Sequence, residues 1–280
     1  MHKYSKSIFL LLTFSLFVGL SRPVFTQANG SEARKVDDFG DAQLSDIAAR
    51  LDNFATQLQQ EPQSHGFLIV YRSRRDLPGL SSRLVNWMKN YLVNSRGFSS
   101  DTIVAIDGGV AGAVAQELWI VPPGTAPKPR ADAYARQLED TTAVRKFDEG
   151  PYLGRGGLPE SYYHDVRDSL EGFAEALRKE PKTSGYLIGY AEYRIEEWDE
   201  MNDQGRKRFH HRVFLDRAGT AASELKTIRA ALRRDYGIPA LRLKLINGGY
   251  RKTRNVELWI VPPGEHAPIA TPNAFPKRRR

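Results

Sequence analysis

The sequence predicts an α+β protein made of two tandem β-α-β-α-β-β modules, each with two helices on one face of a small mixed sheet. Three observations predict it: a long internal repeat, matching amphipathic stripes in both repeat units, and short apolar runs that end at Pro-Pro.

The repeat sets the organisation. Glu61-Pro62 precedes Gly66-Phe67-Leu68-Ile69-Val70-Tyr71, and Glu180-Pro181 precedes Gly185-Tyr186-Leu187-Ile188-Gly189-Tyr190 (181 − 62 = 119). Further on, Glu117 to Gly124, ELWIVPPG, recurs unchanged as Glu257 to Gly264 (264 − 124 = 140). The second copy thus holds extra residues between these landmarks (140 − 119 = 21).

Each copy reads in the same order. A short first strand is expected near Val36-Asp37 and near Lys146-Phe147. A helix follows, with Leu44, Ile47, Ala48, Leu51, Phe54, Ala55 and Leu58 at spacings of three and four; its counterpart carries Tyr163, Val166, Leu170, Phe173, Ala174 and Leu177. That spacing places them on one core-facing stripe. The run Phe67–Tyr71 is short and continuously apolar, as in a central strand covered on both faces. A second helix carries Leu84, Met88, Tyr91 and Leu92, matched by Leu225, Ile228 and Leu232, and Gly97 and Gly237 stand where a left-handed residue ends a helix. Thr102–Ile106 and Leu241–Ile246 read as third strands. Glu117–Val121 and Glu257–Val261 read as last strands, stopped by prolines that cannot donate to a ladder.

Around this core the chain divides into a signal segment 1–28, a first module 29–125, a linker 126–142, a second module 143–265 and a basic, disordered tail 266–280. His2, Lys3 and Lys6 precede an apolar run, Ile8–Leu20, that is shorter than the roughly 20 residues of a membrane-spanning helix. Thr26 and Ala28 then supply the small residues of a cleavage site, so export is expected, to the periplasm or outside the cell. No later stretch has transmembrane length, and the mature chain is expected to carry no transmembrane segment. The absence of Cys excludes disulfides, a thiol nucleophile and a thiolate metal site. After export, a formal charge of +8 points to anionic lipid head groups, cell-wall or other anionic envelope polymers, or acidic proteins as partners and away from nucleic acid.

Several local signals in the first copy converge on one family. Val36-Asp37-Asp38-Phe39 followed by Leu44, Leu80-Ser81 followed by Tyr91-Leu92, and Arg96-Gly97-Phe98 with a strand and Asp107-Gly108-Gly109 together resemble the OmpA-like domain, the peptidoglycan-associating module of bacterial envelopes. The likeness covers Val36–Gly124 and, more weakly, Phe147–Gly264. It implies the fold above and an envelope location. In that family an Asp after the second strand and an Arg on the second helix grip the diaminopimelate of the peptidoglycan peptide, a carboxylate on its ammonium and a guanidinium forked onto its carboxylate. Here the Asp position falls near Arg74 and Tyr193, and the Arg position on Leu84 and Glu224. Asp76 and Arg83 lie close by, but one residue along a helix turns a side chain by about 100°. The resemblance therefore carries the fold and compartment further than the ligand.

Arg74, Asp76 and Arg83 are candidate ligand-binding residues. So are Arg242 and Lys244, which alternate with Leu241, Leu243 and Leu245 and would make a basic sheet face. Trp119 and Trp259 sit opposite Leu118/Ile120 and Leu258/Ile260 in the alternation of the repeated strand, on the face away from the helices. They are candidates for an interface in which the two open sheet faces meet. The insertion, about 191–211, places acids (Glu192, Glu196, Glu197, Asp199, Glu200) before bases (Arg206, Lys207, Arg208), with a turn signal at Asn202-Asp203-Gln204-Gly205 between them. That order predicts an extended hairpin with cross-strand ion pairs. His210-His211 point to opposite faces of such a strand and do not form a metal site. Gly154-Arg155-Gly156-Gly157 lacks the Lys-Ser/Thr of a phosphate loop and reads as a loop; Lys277–Arg280 reads as a basic tail. No catalytic constellation, metal site or cofactor motif emerges. The expectation is a non-enzymatic, exported binding protein whose partner is peptidoglycan, another anionic envelope polymer or an envelope protein. The alternative is an exported hydrolase with a carboxylate site between the modules.

Overall fold

A computed structural model describes residues 32–128, 130, 143–151 and 166–273. The signal segment, most of the linker, Tyr163, His164, the Gly154–Gly157 loop and the Lys277–Arg280 end lie outside the described residues.

The first module runs β1 (Arg34–Phe39), α1 (Leu44–Gln59), β2 (His65–Arg72), α2 (Gly79–Arg96), β3 (Ile103–Val110) and β4 (Ala115–Val121). Its sheet has the order β1-β4-β2-β3, with β2 and β3 parallel and the other pairs antiparallel. The second module repeats it with β5 (Arg145–Gly150), a 3-10 turn (Val166–Ser169) leading into α3 (Leu170–Lys179), β6 (Ser184–Met201), α4 (Thr220–Arg234), β8 (Leu243–Arg251) and β9 (Asn255–Val261). β6 pairs with β9 and β8 as β2 pairs with β4 and β3. The architecture is α+β, with the element order expected from the repeat.

The stripes do what their spacing predicts. Leu51, Phe54 and Leu58 of α1 and Met88 and Leu92 of α2 pack on Leu68, Val70, Leu118 and Ile120 of the sheet. Phe173, Leu177, Leu225, Ile228 and Leu232 do the same on Leu187, Leu258 and Ile260. Each such side chain contributes about 1.5–3 kcal/mol by leaving water. Gly97 adopts φ 75° and Gly237 φ 70°, and the next residues, Phe98 and Ile238, donate their N–H groups back to Leu92 and Leu232. Both helices thus end in the same left-handed closure.

The insertion is a hairpin. β6 continues past the sheet and pairs antiparallel with β7 (Lys207–Leu215) from Tyr193↔Leu215 to Met201↔Lys207. Asn202 Oδ1 accepts the N–H groups of Gln204 and Arg206, and Gly205 takes φ 71°, so the turn falls where expected. Glu197 lies 3.0 Å from His211 and Glu200 2.7 Å from His210 across the strands.

The modules dock through helices. α2 lies against the 3-10 turn, α3 and β5. The approach is close: a Cβ on Gly172 would stand 2.2 Å from Ser82 Oγ, and one on Gly79 2.6 Å from Asp148 Cβ. Arg83 donates to the Glu149 carbonyl at 2.8 Å, and Asn86 to the Asp168 carbonyl at 2.9 Å. Trp119 and Trp259 are therefore not the junction, as the meeting of open sheet faces would require. The helical layer of the first module was free to accept the second because α2 presents small residues there.

Two further expectations need correction. Residues 240–242 form a 3-10 turn after Pro239, so Leu241 is turned out and Arg242 is not on a strand face. The chain after Gly264 is also ordered as far as Asn273. Asn273 donates to the Tyr250 carbonyl, and Arg251 reaches Thr271.

Candidate functional site

The open face of each sheet holds the same buried polar cluster. Glu117 has no exposed surface. It accepts from Trp119 Nε1 at 3.0 Å, Lys35 Nζ at 2.8 Å and Tyr71 Oη at 3.4 Å. Glu257 accepts from Trp259 at 3.0 Å, Lys146 at 3.0 Å, Tyr190 at 3.2 Å and, additionally, Arg251 at 2.8 Å. Burial alone would push the Glu257 carboxyl up, but the bonds from Trp259, Arg251 and Lys146 outweigh it and hold the group below its ordinary range. Burial would likewise lower Lys35 and Lys146, yet their carboxylate partners keep both ammoniums raised. The segment after Pro-Pro-Gly folds back over each cluster: the Arg130 N–H points to Tyr71 Oη at 3.5 Å and the Thr271 N–H to Tyr190 Oη at 3.0 Å. Three donors thus hold Glu117 and four hold Glu257. The clusters close the open faces, and Trp119 and Trp259 belong to them.

The groove of the first module is elsewhere, at the carboxyl end of β2. The β1–α1, β2–α2 and β3–β4 loops surround a cavity of about 890 Å³ that is bordered by Asp41, Arg74, Arg75 and Asp76. The β2–α2 loop is set by a tight turn: Asp76 Oδ2 accepts the Ser73 N–H at 2.8 Å, and Ser73 Oγ accepts the Arg75 N–H at 3.2 Å. Arg74, Arg75 and Asp41 are exposed. Cations and carboxylates thus stand around one opening.

At the matching end of the second module the hairpin departs instead of a short loop. Its root is tied down: Arg254 donates to both oxygens of Asp216, at 2.7 and 2.8 Å, and lies 3.7 Å from Glu224. Hydrogen bonding to Arg254 holds the Asp216 carboxyl low. Glu224 is committed to this network.

Of the candidate residues, Arg74 and Asp76 come together at the groove. Arg83 does not; it is buried at the junction, 3.3 Å from Asp148. Arg242 caps a helix end, donating to the carbonyls of Leu177, Glu180 and Thr183. Lys244 is exposed on β8, opposite Tyr186, on the open face as expected. His210 stacks on Trp198 with centroids 4.9 Å apart, and His211 faces the other side. Among the described residues no three His, Cys, Asp or Glu side chains gather closely enough to hold a metal ion, and no helix is long and apolar enough to cross a membrane.

Sequence reasoning missed Asp41, Glu117, Glu257, Lys35 and Lys146. A signal for the clusters existed: each Glu stands two residues before a Trp and so shares its face.

A scan of protein-family models gives no match, and no curated protein and no solved structure matches the chain.

Proposed function

We propose that this is an exported, non-enzymatic binding protein of the bacterial cell envelope, with one ligand groove in its first module. The observation that carries this reading is the opening bordered by Asp41, Arg74, Arg75 and Asp76. It lies where the OmpA-like resemblance puts the peptidoglycan peptide. It offers carboxylates for an ammonium and guanidiniums for a carboxylate, although on different residues from the family's pair. The hairpin root occupies the corresponding end of the second module, so the stoichiometry is one ligand per chain.

The ligand is a zwitterionic stem peptide of peptidoglycan. Purified protein should co-sediment saturably with isolated sacculi, and Asp41→Asn with Arg75→Ala should weaken that binding at least tenfold. No sedimentation at low salt would sink the wall as the ligand.

The hydrolase reading has one observation in its favour, a cleft between the modules lined by carboxylates. Against it, Asp107 Oδ1 already accepts from Ser81 Oγ and the Gly109 N–H, and Asp168 Oδ1 from Asn90. Soluble fragments released from the same sacculi would support hydrolysis.

A further inference from the structure

We propose that the cleft between the two modules binds an extended, basic polypeptide segment of a partner protein, which adds to the open edge of β3. This goes beyond the wall-binding groove and uses none of its residues.

β3 ends the sheet of the first module and pairs only with β2 among the described residues. The Gly66 N–H donates to the Thr102 carbonyl. In a parallel ladder the groups facing a neighbour alternate along the strand, so Thr102, Val104 and Ile106 serve β2. The N–H and C=O of Ile103 and Ala105 point the other way.

Exposed edges are usually blunted by charge, proline, a bulge or a cover. The other edges here are. β1 carries Arg34 and Lys35 and an irregular register between Lys35 and Asp37. β8 carries Lys244, and the chain end at Asn273 covers it at Tyr250 and Lys252. β3 has its one irregularity past this run, between Asp107 and Gly109, and presents Ile103-Val104-Ala105-Ile106 with no charge, proline or bulge among them.

A cavity of about 610 Å³ lies along that edge, with α2 as one wall and α3 as the other. The edge from Asp101 to Asp107 extends about 20 Å at ~3.3 Å per residue, enough for an extended segment of about six residues. The cavity lining has five carboxylates, Asp101, Asp107, Asp168, Glu171 and Glu175, against two cations, Lys89 and Arg167. On a chain of formal charge +8 this is a locally acidic channel, and it selects a basic strand. Main-chain bonds to Ile103 and Ala105 would supply affinity, and α3 carboxylates would supply selectivity. Self-association through this edge is disfavoured, because two acidic channels would face each other.

The test uses the full-length protein and a fluorescent octapeptide alternating Lys and Val, followed by anisotropy. Binding should be saturable and should weaken with salt. The matching Glu–Val octapeptide should not bind. Ala105→Pro removes an N–H that no ladder bond uses, so the fold should persist while affinity falls at least tenfold. Glu171→Gln with Glu175→Gln should lower affinity several-fold. Should Ala105→Pro fail to fold, amide exchange on the unmodified protein decides: peptide should slow exchange at Ile103 and Ala105. Equal binding of the Glu–Val peptide, unchanged binding by folded Ala105→Pro, or no protection of those amides would overturn the proposal.

Discussion

Replacing Lys35 with Met should cost more stability than replacing Lys146 with Met, although the two lysines occupy the same place in the repeat. Each ammonium lies within about 3 Å of a buried carboxylate, Lys35 on Glu117 and Lys146 on Glu257. In Lys35→Met, Glu117 keeps only the neutral donors Trp119 and Tyr71. A buried charge left without its counter-ion costs about 3–5 kcal/mol. In Lys146→Met, Glu257 keeps Arg251 at 2.8 Å, so the loss is that of one charge-assisted hydrogen bond, about 1.5–3 kcal/mol. Urea unfolding of both variants at pH 7, read by circular dichroism, measures this. Equal losses for the two lysines would refute the reasoning.

Three other outcomes follow from the packing. Gly172→Ala should destabilise by about 1–3 kcal/mol through overpacking, despite a helix-propensity gain of up to about 1 kcal/mol, and Ser82→Gly should restore most of it in a double-mutant cycle by thermal melts. Burial pushes the Asp148 carboxyl up, with Arg83 opposing. Its contribution is therefore largest below the unfolded value near 3.9 and declines as pH rises through the higher folded value. In Asp148→Asn that part of the fall in melting temperature with rising pH should be absent. Replacing 194–214 by a two-residue Asn-Gly turn should move the melting temperature by less than about 3 °C, because the hairpin packs chiefly on itself.

Much of the fold could be read because the repeat states it twice. The apolar stripes, the glycines at 97 and 237 and the Pro-Pro stops each fix one local choice, and all of them agree. Three features were hidden for physical reasons. Arg242 fits a strand alternation, but Pro239 starts a turn that sends it to the carbonyls ending α3. The junction rests on Gly79, Ser82 and Gly172, small residues whose meaning depends on a surface more than 65 positions away in sequence. Glu117 and Glu257 look like solvent-facing strand residues until Lys35 and Lys146, from another strand, neutralise them. The groove was partly legible: Arg74 and Asp76 were identified, but Asp41 joins them only when the β1–α1 and β2–α2 loops meet.

The most direct measurement of the central claim is a binding isotherm of the protein on isolated sacculi, beside the variant Asp41→Asn with Arg75→Ala. The account predicts a saturable curve at one site per chain for the unmodified protein and at least tenfold weaker binding for the folded variant. Indistinguishable curves, or no binding by either at low salt, would contradict it.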